Sequence, residues 1–243
     1  VLRSLSKVPK WVPTTAEVLA LVAVVPERFK AAIWLGAGQG MRLGEVLGVE
    51  KGTRCANFLR REFNVVQQLR FHKAQYGGFY LGPCKSGSRG TVELDDFVGR
   101  QLAEHIRQHP PTMVILPDIS DSEPDTGNQP VRRPVELLFT TEAGQPIHDQ
   151  RWAEMWATWR TAAGWPDEGT FHSLRHYFAT TLITRGVEPQ AVQHALRHAR
   201  LRTTLETYVH WWPKQDRPRG VMGGVFLEAA TADDNAKIKA KLS

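Results

Sequence analysis

Three short segments of the 243-residue chain contain side chains of the types that can act on a phosphodiester bond. Arginine can donate paired hydrogen bonds to phosphate oxygens, tyrosine can attack phosphorus, and histidine can carry a proton. The candidate residues are Arg42 and Glu45, then His172 and Arg175, and finally His198 and Tyr208.

Helical spacing indicates which of these side chains can point in the same direction. Leu174, Phe178 and Leu182 recur at i, i+4 and i+8 and predict the buried stripe of one helix. His172 and Arg175 are i, i+3 neighbours on another face, which would suit an anionic substrate. The alternative is a surface helix on which the two cations are incidental.

Taken separately, the other two segments also have structural interpretations. Arg42 and Glu45 have the spacing of an ordinary i, i+3 surface pair. Tyr208 shares a helical stripe with Leu205 and Trp212, as a core tyrosine would. The chemistry therefore depends on the three segments being considered together.

The charge of the chain is distributed unevenly. Lys and Arg number 31 against 25 Asp and Glu, a net charge of +6, which favours a polyanionic partner. Residues 51–100 carry nine basic and four acidic side chains, whereas residues 101–150 carry three basic and eight acidic ones. The basic block alternates with β-forming residues, and a sheet that presents these cations would suit a phosphate backbone. A strand edge guarded by cations is the alternative.

The composition excludes several classes of protein. With 42% hydrophobic and 23% charged residues the chain is globular rather than disordered. Cys55 and Cys84 are too few for a disulfide framework, and they fit a reducing cytoplasm. No apolar run approaches the roughly 18 residues that span a bilayer. The apolar residues 18–25 resemble a signal peptide, but Thr14 and Glu17 form a capping box that marks a helix start instead.

Periodicity and turn residues predict a mostly helical chain with one small sheet. Residues 110–134, rich in proline and acidic residues, are expected to form a surface loop. Gly87, Ser88 and Gly90 predict a turn between two paired strands, which puts Lys85 beside a hairpin tip. Helices are predicted at 14–25, 27–37, 42–48, 95–109, 149–163, 172–185, 189–196 and 202–211, and strands at 54–59, 63–71, 79–84 and 90–94.

Together the segments resemble the catalytic domain of the tyrosine recombinases, the phage-integrase family. That family has a G-x-R-x-G-E motif, a lysine in a β-hairpin, H-x-L-R-H, L-G-H and T-T-x-x-x-Y-x-H. The similar segments here are 40–45, Lys85, 172–176, 196–198 and 203–210, and the resemblance extends from about residue 10 to 212. The stretch T-T-L-E-T-Y-V-H-W-W-P is especially similar to actinobacterial phage and plasmid integrases. The resemblance implies an α+β fold, a mostly helical catalytic domain with a small antiparallel three-stranded sheet.

The resemblance also implies a role for each polar residue. Tyr208 would be the nucleophile that forms a 3′-phosphotyrosine intermediate, and Arg42 and Arg175 would stabilise the pentavalent phosphate. Lys85 would be the general acid for the departing 5′ oxygen. His172 would carry a proton near the tyrosine. No cofactor and no metal ion are implied.

Two further polar positions and one departure complete this prediction. His198 would donate a further hydrogen bond to the phosphate, and Glu45 would orient the basic cluster. The small residue of L-G-H is Arg197 here, which predicts either a strained turn or an unusual DNA contact. The residues expected to contact DNA are Arg60, Arg61, Arg70, Lys73, Arg89, Arg197, Arg200 and Arg202.

The same resemblance predicts the domains and the partners. Residues 1–13 would be a linker from a missing N-terminal core-binding domain, 14–213 the catalytic domain, and 214–243 a tail. The tail's apolar stretch 221–227 would either fold back or dock on a neighbouring protomer. The expected partners are double-stranded DNA attachment sites and accessory DNA-bending or directionality proteins. On DNA the protein would form a homotetramer, and a monomer in isolation is compatible with this expectation. The expected location is the cytoplasm, on the nucleoid when DNA is bound, with no membrane partner.

Three rival functions were weighed. His172 with His176, and His194 with His198, are four residues apart on helices and could bind zinc in a metal-dependent DNA hydrolase. Arg175 between the first pair would repel a cation. A DNA-binding module without catalysis fits the basic sheet, but it does not explain the six catalytic positions. A type IB topoisomerase would share the chemistry, and the segment 203–210 favours the integrase branch.

Overall fold

The computed structural model describes residues 11–121 and 130–212. Their helices follow the predicted segments to within about two residues, and one short helix, α4, was not predicted. Capping explains why α1 begins where it does, since Thr14 Oγ1 accepts a hydrogen bond from the backbone N–H of Glu17 and the Glu17 carboxylate accepts one from that of Thr14. The helices are α1 Thr15–Val24, α2 Glu27–Gln39, α3 Leu43–Leu47, α4 Lys73–Tyr76, α5 Asp96–Gln108, α6 Asp149–Ala162, α7 Phe171–Thr184, α8 Pro189–Leu196 and α9 Leu201–Tyr208.

The strands form two sheets. An antiparallel sheet in the order β1-β2-β5 has the predicted small size. A second, four-stranded sheet in the order β3-β4-β6-β7 was not predicted, and its β4–β6 pair is parallel. The strands are β1 Ala56–Asn57, β2 Glu62–Val65, β3 Gln68–His72, β4 Gly78–Gly82, β5 Gly90–Glu93, β6 Thr112–Asp118 and β7 Val131–Leu137.

The prediction of a surface loop over 110–134 was wrong at 112–118 and 131–134, which are strands, and its part at 122–129 lies outside the described residues. Strands β6 and β7 pair antiparallel, from Thr112 opposite Leu137 to Asp118 opposite Val131. The prolines there suggested a loop, but β7 is an edge strand over most of its length, and an edge tolerates a proline such as Pro134.

The predicted hairpin around Lys85 was also wrong. Strand β4 pairs with β3 and β6, whereas β5 pairs with β2, so the chain leaves one sheet and enters the other. A single 3-10 turn, Lys85–Gly87, makes this crossing. Lys85 therefore lies on the segment that connects the two sheets.

The buried apolar side chains form two clusters of very different size. The large one surrounds α2, whose Ile33 and Leu35 are fully buried, and it includes Leu174 from α7. The small one, here called the nucleophile core, lies between α7, α8 and α9 and consists of Ala179, Ile183, Val192, Leu196 and Tyr208. No helix in the described part of the chain is long and apolar enough to cross a membrane.

Candidate active site

The first catalytic segment begins at a left-handed turn. Gly40 ends α2 with φ +59°, and a Cβ at this position would lie 2.5 Å from the Phe178 ring. Both facts favour glycine. The turn brings Arg42 to the start of α3, where its side chain is half-buried.

Glu45 is the centre of a polar cluster, here called the Glu45 cluster, that consists of Arg42, Glu45, Ser88 and Arg197. The carboxylate is 1% exposed. It accepts hydrogen bonds from Arg42 Nη1 at 2.7 Å, Ser88 Oγ at 3.1 Å and Arg197 Nη2 at 2.9 Å. Arg42 Nη1 also donates to Ser88 Oγ at 2.8 Å. The cluster thus joins α3, the Lys85 connection and the turn before His198.

The charge of Glu45 is stabilised by its arginines. Burial by itself raises the pKa of a carboxyl group, but the nearby Arg197 and Arg42 outweigh it, so the pKa of Glu45 lies below its ordinary value. Glu45 is therefore ionised at neutral pH. The expectation that Glu45 orients the basic residues agrees with these contacts.

Arg175 is the most deeply buried cation of the site. It is 1% exposed on α7, and its guanidinium donates to the backbone carbonyls of Gly40 and Leu196. Burial, together with repulsion from Arg42 and Arg197, lowers its pKa to about 9. Arg175 remains charged at neutral pH, and its two bonds connect the first and third catalytic segments.

Arg197 has the strained backbone that was one of its two predicted outcomes. Its φ of 54° and ψ of 42° are left-handed, a region that residues other than glycine seldom occupy. The side chain is 7% exposed and its guanidinium is directed inward onto Glu45. The other predicted outcome, a DNA contact, required the side chain to point outward, and this geometry does not do so.

His198 follows this turn and is fixed by three hydrogen bonds. Its Nδ1 lies 2.9 Å from Thr204 Oγ1, its N–H donates to the Gln193 carbonyl, and its own carbonyl accepts from Gln193 Nε2. Burial first, and then the cations Arg175, Arg42 and Arg197, lower its pKa to about 4. His198 is therefore neutral at physiological pH, and a neutral imidazole can donate one hydrogen bond.

Tyr208 lies at the end of α9 and is 3% exposed. Its hydroxyl forms a 2.8 Å hydrogen bond with Nδ1 of His176. Burial raises the pKa of Tyr208 to about 12, although Arg175 and Arg42 act in the opposite direction. The phenol is therefore neutral before substrate binds.

His176 is the residue that the sequence prediction did not place in the site. It was considered only as half of a zinc pair, because nothing in the sequence brings α7 and α9 together. The other half, His172, is exposed at the start of α7, and the two rings pack edge to face with centroids 4.7 Å apart. Within 11–121 and 130–212 no group of three or more His, Cys, Asp or Glu side chains could hold a metal ion.

Lys85 and most of the predicted DNA contacts are exposed. Several already form ion pairs: Arg61 with Asp96, Arg89 with Asp121 at 2.5 Å, and Arg202 with Glu206 at 2.5 Å. Asp121 also accepts from Arg54 at 2.8 Å. The other exposed residues of the predicted DNA-contact set are Arg60, Arg70, Lys73 and Arg200.

Chemically, this arrangement places a neutral phenol beside a histidine within the electrostatic influence of Arg42 and Arg175. Arginines positioned in this way can stabilise charge that develops on phosphate oxygens. The site therefore contains side chains of the types that phosphoryl transfer requires, a phenol that can act as a nucleophile and guanidinium groups that can stabilise charge.

Comparison with protein families gives a match over most of the chain. The model described as "Phage integrase family" matches residues 13–214. A curated relative from Caldanaerobacter subterraneus subsp. tengcongensis, "Tyrosine recombinase XerC-like", is 27% identical over 200 residues, which cover 79% of this chain and 48% of that protein. Tyrosine recombinase XerC of Nitrobacter winogradskyi is 42% identical over 67 residues, which cover 28% of this chain and 21% of that protein. The chain thus spans about half the length of the first of these relatives and less of the second.

Solved structures show a similar fold. The Tn1549 transposon integrase in complex with circular intermediate DNA matches with a TM-score of 0.67 and 19% identity, over 91% of this chain and 68% of that chain. A lambda integrase dimer bound to a COC′ core site matches with a TM-score of 0.55 and 15% identity, over 87% and 52%.

Proposed function

The chain belongs to the phage integrase family and has the α+β catalytic fold of tyrosine recombinases, and from that premise we propose that it is a site-specific DNA recombinase. It cleaves and rejoins DNA through a 3′-phosphotyrosine intermediate, and so integrates or excises a phage or another mobile element. The observation that carries this proposal is the Tyr208 hydroxyl, buried against His176 and influenced electrostatically by Arg175 and Arg42.

In the cleavage step, the attacking tyrosine loses one proton and the leaving 5′ oxygen gains one. The Tyr208 oxygen attacks the scissile phosphorus as its proton leaves, and the bond from phosphorus to the 5′ oxygen breaks. Lys85 supplies the proton that the 5′ oxygen takes up. His172, named by the family resemblance, and His176, whose Nδ1 lies 2.8 Å from the phenol, are the two candidates to accept the tyrosine proton. Rejoining reverses these transfers.

The cations supply the charge stabilisation. Arg42 and Arg175 bind the non-bridging oxygens, and His198 donates one further hydrogen bond from its neutral ring. Because these groups are held by protein contacts before DNA arrives, little reorganisation accompanies the reaction. A metal ion is therefore not required for charge neutralisation in this proposal.

The partners and the rest of the protein follow from the same proposal. The substrate is a double-stranded attachment site, contacted by the exposed basic residues and recombined within a homotetramer, with accessory DNA-bending or directionality proteins. The setting is the cytoplasm, on the nucleoid when DNA is bound. The domain boundaries at 1–13, 14–213 and 214–243 remain our proposal, and the predicted tail lies outside the described residues.

A nicked DNA substrate that traps the covalent intermediate tests the function. We expect the protein to form a DNA adduct that survives denaturation, and Tyr208→Phe to form none. The DNA dissociation constant of Tyr208→Phe should change less than about twofold, because one hydroxyl adds little to an interface dominated by phosphate contacts.

Tyr177→Phe is the matched control, since the Tyr177 hydroxyl bonds instead to Thr15 on α1, at 3.0 Å. This variant should form the adduct normally. An adduct from Tyr208→Phe, or loss of the adduct in Tyr177→Phe alone, would contradict the assignment. DNA binding without any adduct from the parent protein would favour the non-catalytic module.

A further inference from the structure

We propose, on the basis of the function above, that Arg197 is a positioning residue that acts through Glu45 on Arg42 and on the turn that carries His198. This role replaces the DNA contact that the sequence suggested. The backbone of Arg197, the path of its side chain and the set of groups that share Glu45 all support this role.

The backbone at Arg197 favours glycine on conformational grounds. Its left-handed φ and ψ end α8, where the Arg197 N–H donates to the His194 carbonyl at 2.9 Å. Glycine adopts this conformation at no steric cost, whereas a residue with a Cβ is strained. An arginine here therefore accepts a backbone penalty, and its side chain must supply a compensating interaction.

The side chain supplies that interaction in the protein interior. A Cβ added at Gly90 would lie 3.7 Å from Arg197 Cγ, so the aliphatic stem passes beside the first residue of β5. Beyond it, Nη2 donates to Glu45 at 2.9 Å and Nη1 donates to the Ala195 carbonyl at 3.2 Å. This path leads away from solvent, since the residue is 7% exposed.

The two oxygens of Glu45 connect this arginine to the reaction. Oε2 accepts from Arg197 Nη2 and from the Arg42 backbone N–H, while Oε1 accepts from Arg42 Nη1 and Ser88 Oγ. Of the two arginines that form direct ion pairs with the buried Glu45 carboxylate, only Arg42 would remain without Arg197. Arg42 would then be drawn toward Glu45, and the turn before His198 would lose its tie to α3.

A positioning role for Arg197 predicts different effects on the cleavage rate and on DNA affinity. A misplaced phosphate ligand slows the chemical step, on the order of 100-fold for a displacement of about 1 Å. A lost phosphate contact instead weakens DNA affinity and makes its salt dependence shallower. Arg197 should affect the first quantity and not the second.

The test uses Arg197→Gly, Arg197→Lys, Glu45→Gln and the double variant Arg197→Gly/Glu45→Gln with the nicked substrate. Arg197→Gly relieves the backbone strain and removes the ion pair, so we expect a folded protein whose single-turnover cleavage is slower by about 10- to 100-fold. Its DNA dissociation constant and salt dependence should match those of the parent. Arg197→Lys, which keeps the charge, should recover part of the rate.

The double variant measures whether the effect passes through Glu45. We expect it to cleave no more slowly than Glu45→Gln alone, because the partner of Arg197 is already neutral. Parental cleavage by Arg197→Gly, or additive losses in the double variant, would overturn the proposal. So would a weaker dissociation constant with a shallower salt dependence, which would identify a phosphate contact.

Thermal unfolding of each variant identifies a loss of fold. If Arg197→Gly does not fold, Arg197→Lys tests the proposal instead, and its cleavage rate must lie between those of the parent and Glu45→Gln. Failure of the parent protein to form an adduct would instead contradict the proposed function, which keeps the two results distinguishable.

Discussion

The Glu45 cluster and the nucleophile core are held together by different forces. In the first, a buried carboxylate is bound by two guanidinium groups and a hydroxyl from three chain segments. In the second, Tyr208 packs with a few apolar side chains from α7 and α8 and makes one hydrogen bond to His176. The charged partners are directional, whereas the apolar ones are not.

This difference matches the tasks of the two regions. Groups that stabilise developing charge act best when they do not move during the reaction, which the ion pairs of the Glu45 cluster ensure. Tyr208, the proposed nucleophile, is 3% exposed and would have to become accessible to a DNA phosphate, and a small apolar cluster opens at lower free energy than a large core. We expect the site to combine a fixed electrostatic half with a movable nucleophile.

The largest effect should come from Lys85, which lies on the connection that joins the Glu45 cluster through Ser88. Lys85→Ala should slow cleavage by about 10²- to 10⁴-fold, the range for loss of a general acid. A substrate with sulfur in place of the bridging 5′ oxygen should restore the rate, because a thiolate leaves without a proton. Single-turnover rates on the two substrates measure this, and equal defects on both would show that Lys85 does not protonate the leaving group.

Truncation of one side chain in each apolar cluster separates the two regions. Leu35→Ala, in the large cluster, should lower the free energy of unfolding by about 2–5 kcal/mol with little effect on cleavage by the folded protein. Val192→Ala, in the nucleophile core, should have a larger effect on the cleavage rate than on the global free energy of unfolding. Thermal unfolding, amide exchange of α9 and adduct kinetics distinguish these outcomes, and faster exchange throughout the molecule in Val192→Ala would show that the cores are not independent.

A smaller effect should appear in the pH dependence of stability. The pKa of His198 is about 4 in the folded protein and near 6.5 in the unfolded chain, so the unfolded state takes up its proton first as pH falls. Stability from this residue is complete above pH 6.5 and is lost as pH falls to about 4. Unfolding titrations should give a shallower slope in this window for His198→Asn, and identical slopes would contradict the burial of a neutral ring.

The smallest effect should be that of metal removal. In the proposed function, Arg42, Arg175 and Lys85 supply the positive charge that two-metal nucleases obtain from ions. Adduct formation should therefore proceed at the same rate in EDTA as in Mg²⁺. Cleavage that EDTA abolishes and a divalent ion restores would show that the fixed half of the site is incomplete without a metal ion.

Local signals predicted the helices well, and non-local pairing limited the rest. Capping residues such as Thr14 and Asp95 act within one helical turn, so the starts of α1 and α5 were readable from the sequence. The pairing of β4 with β6 depends on residues far apart in the chain, and prolines in that region pointed to a loop.

The candidate site divides in the same way. Residue types, spacing and the family resemblance named the polar positions, and their catalytic roles stay predictions. The contact of His176 with Tyr208 required the packing of α7 and α9, and the inward course of Arg197 required the approach of α3 to the end of α8. Neither is visible as a periodic pattern, because each joins residues more than thirty positions apart.

If the exposed basic residues contact DNA as proposed, their ion pairs have a consequence for how the protein would find its target. Arg61, Arg89 and Arg202 are each bound to a carboxylate, so a phosphate must displace that carboxylate before it gains the arginine. Each exchange cancels part of the attraction that a free arginine would offer to any DNA. The surface is therefore suited to brief contacts along non-target sequence, and prolonged residence depends on a site that engages enough arginines at once to complete the exchange.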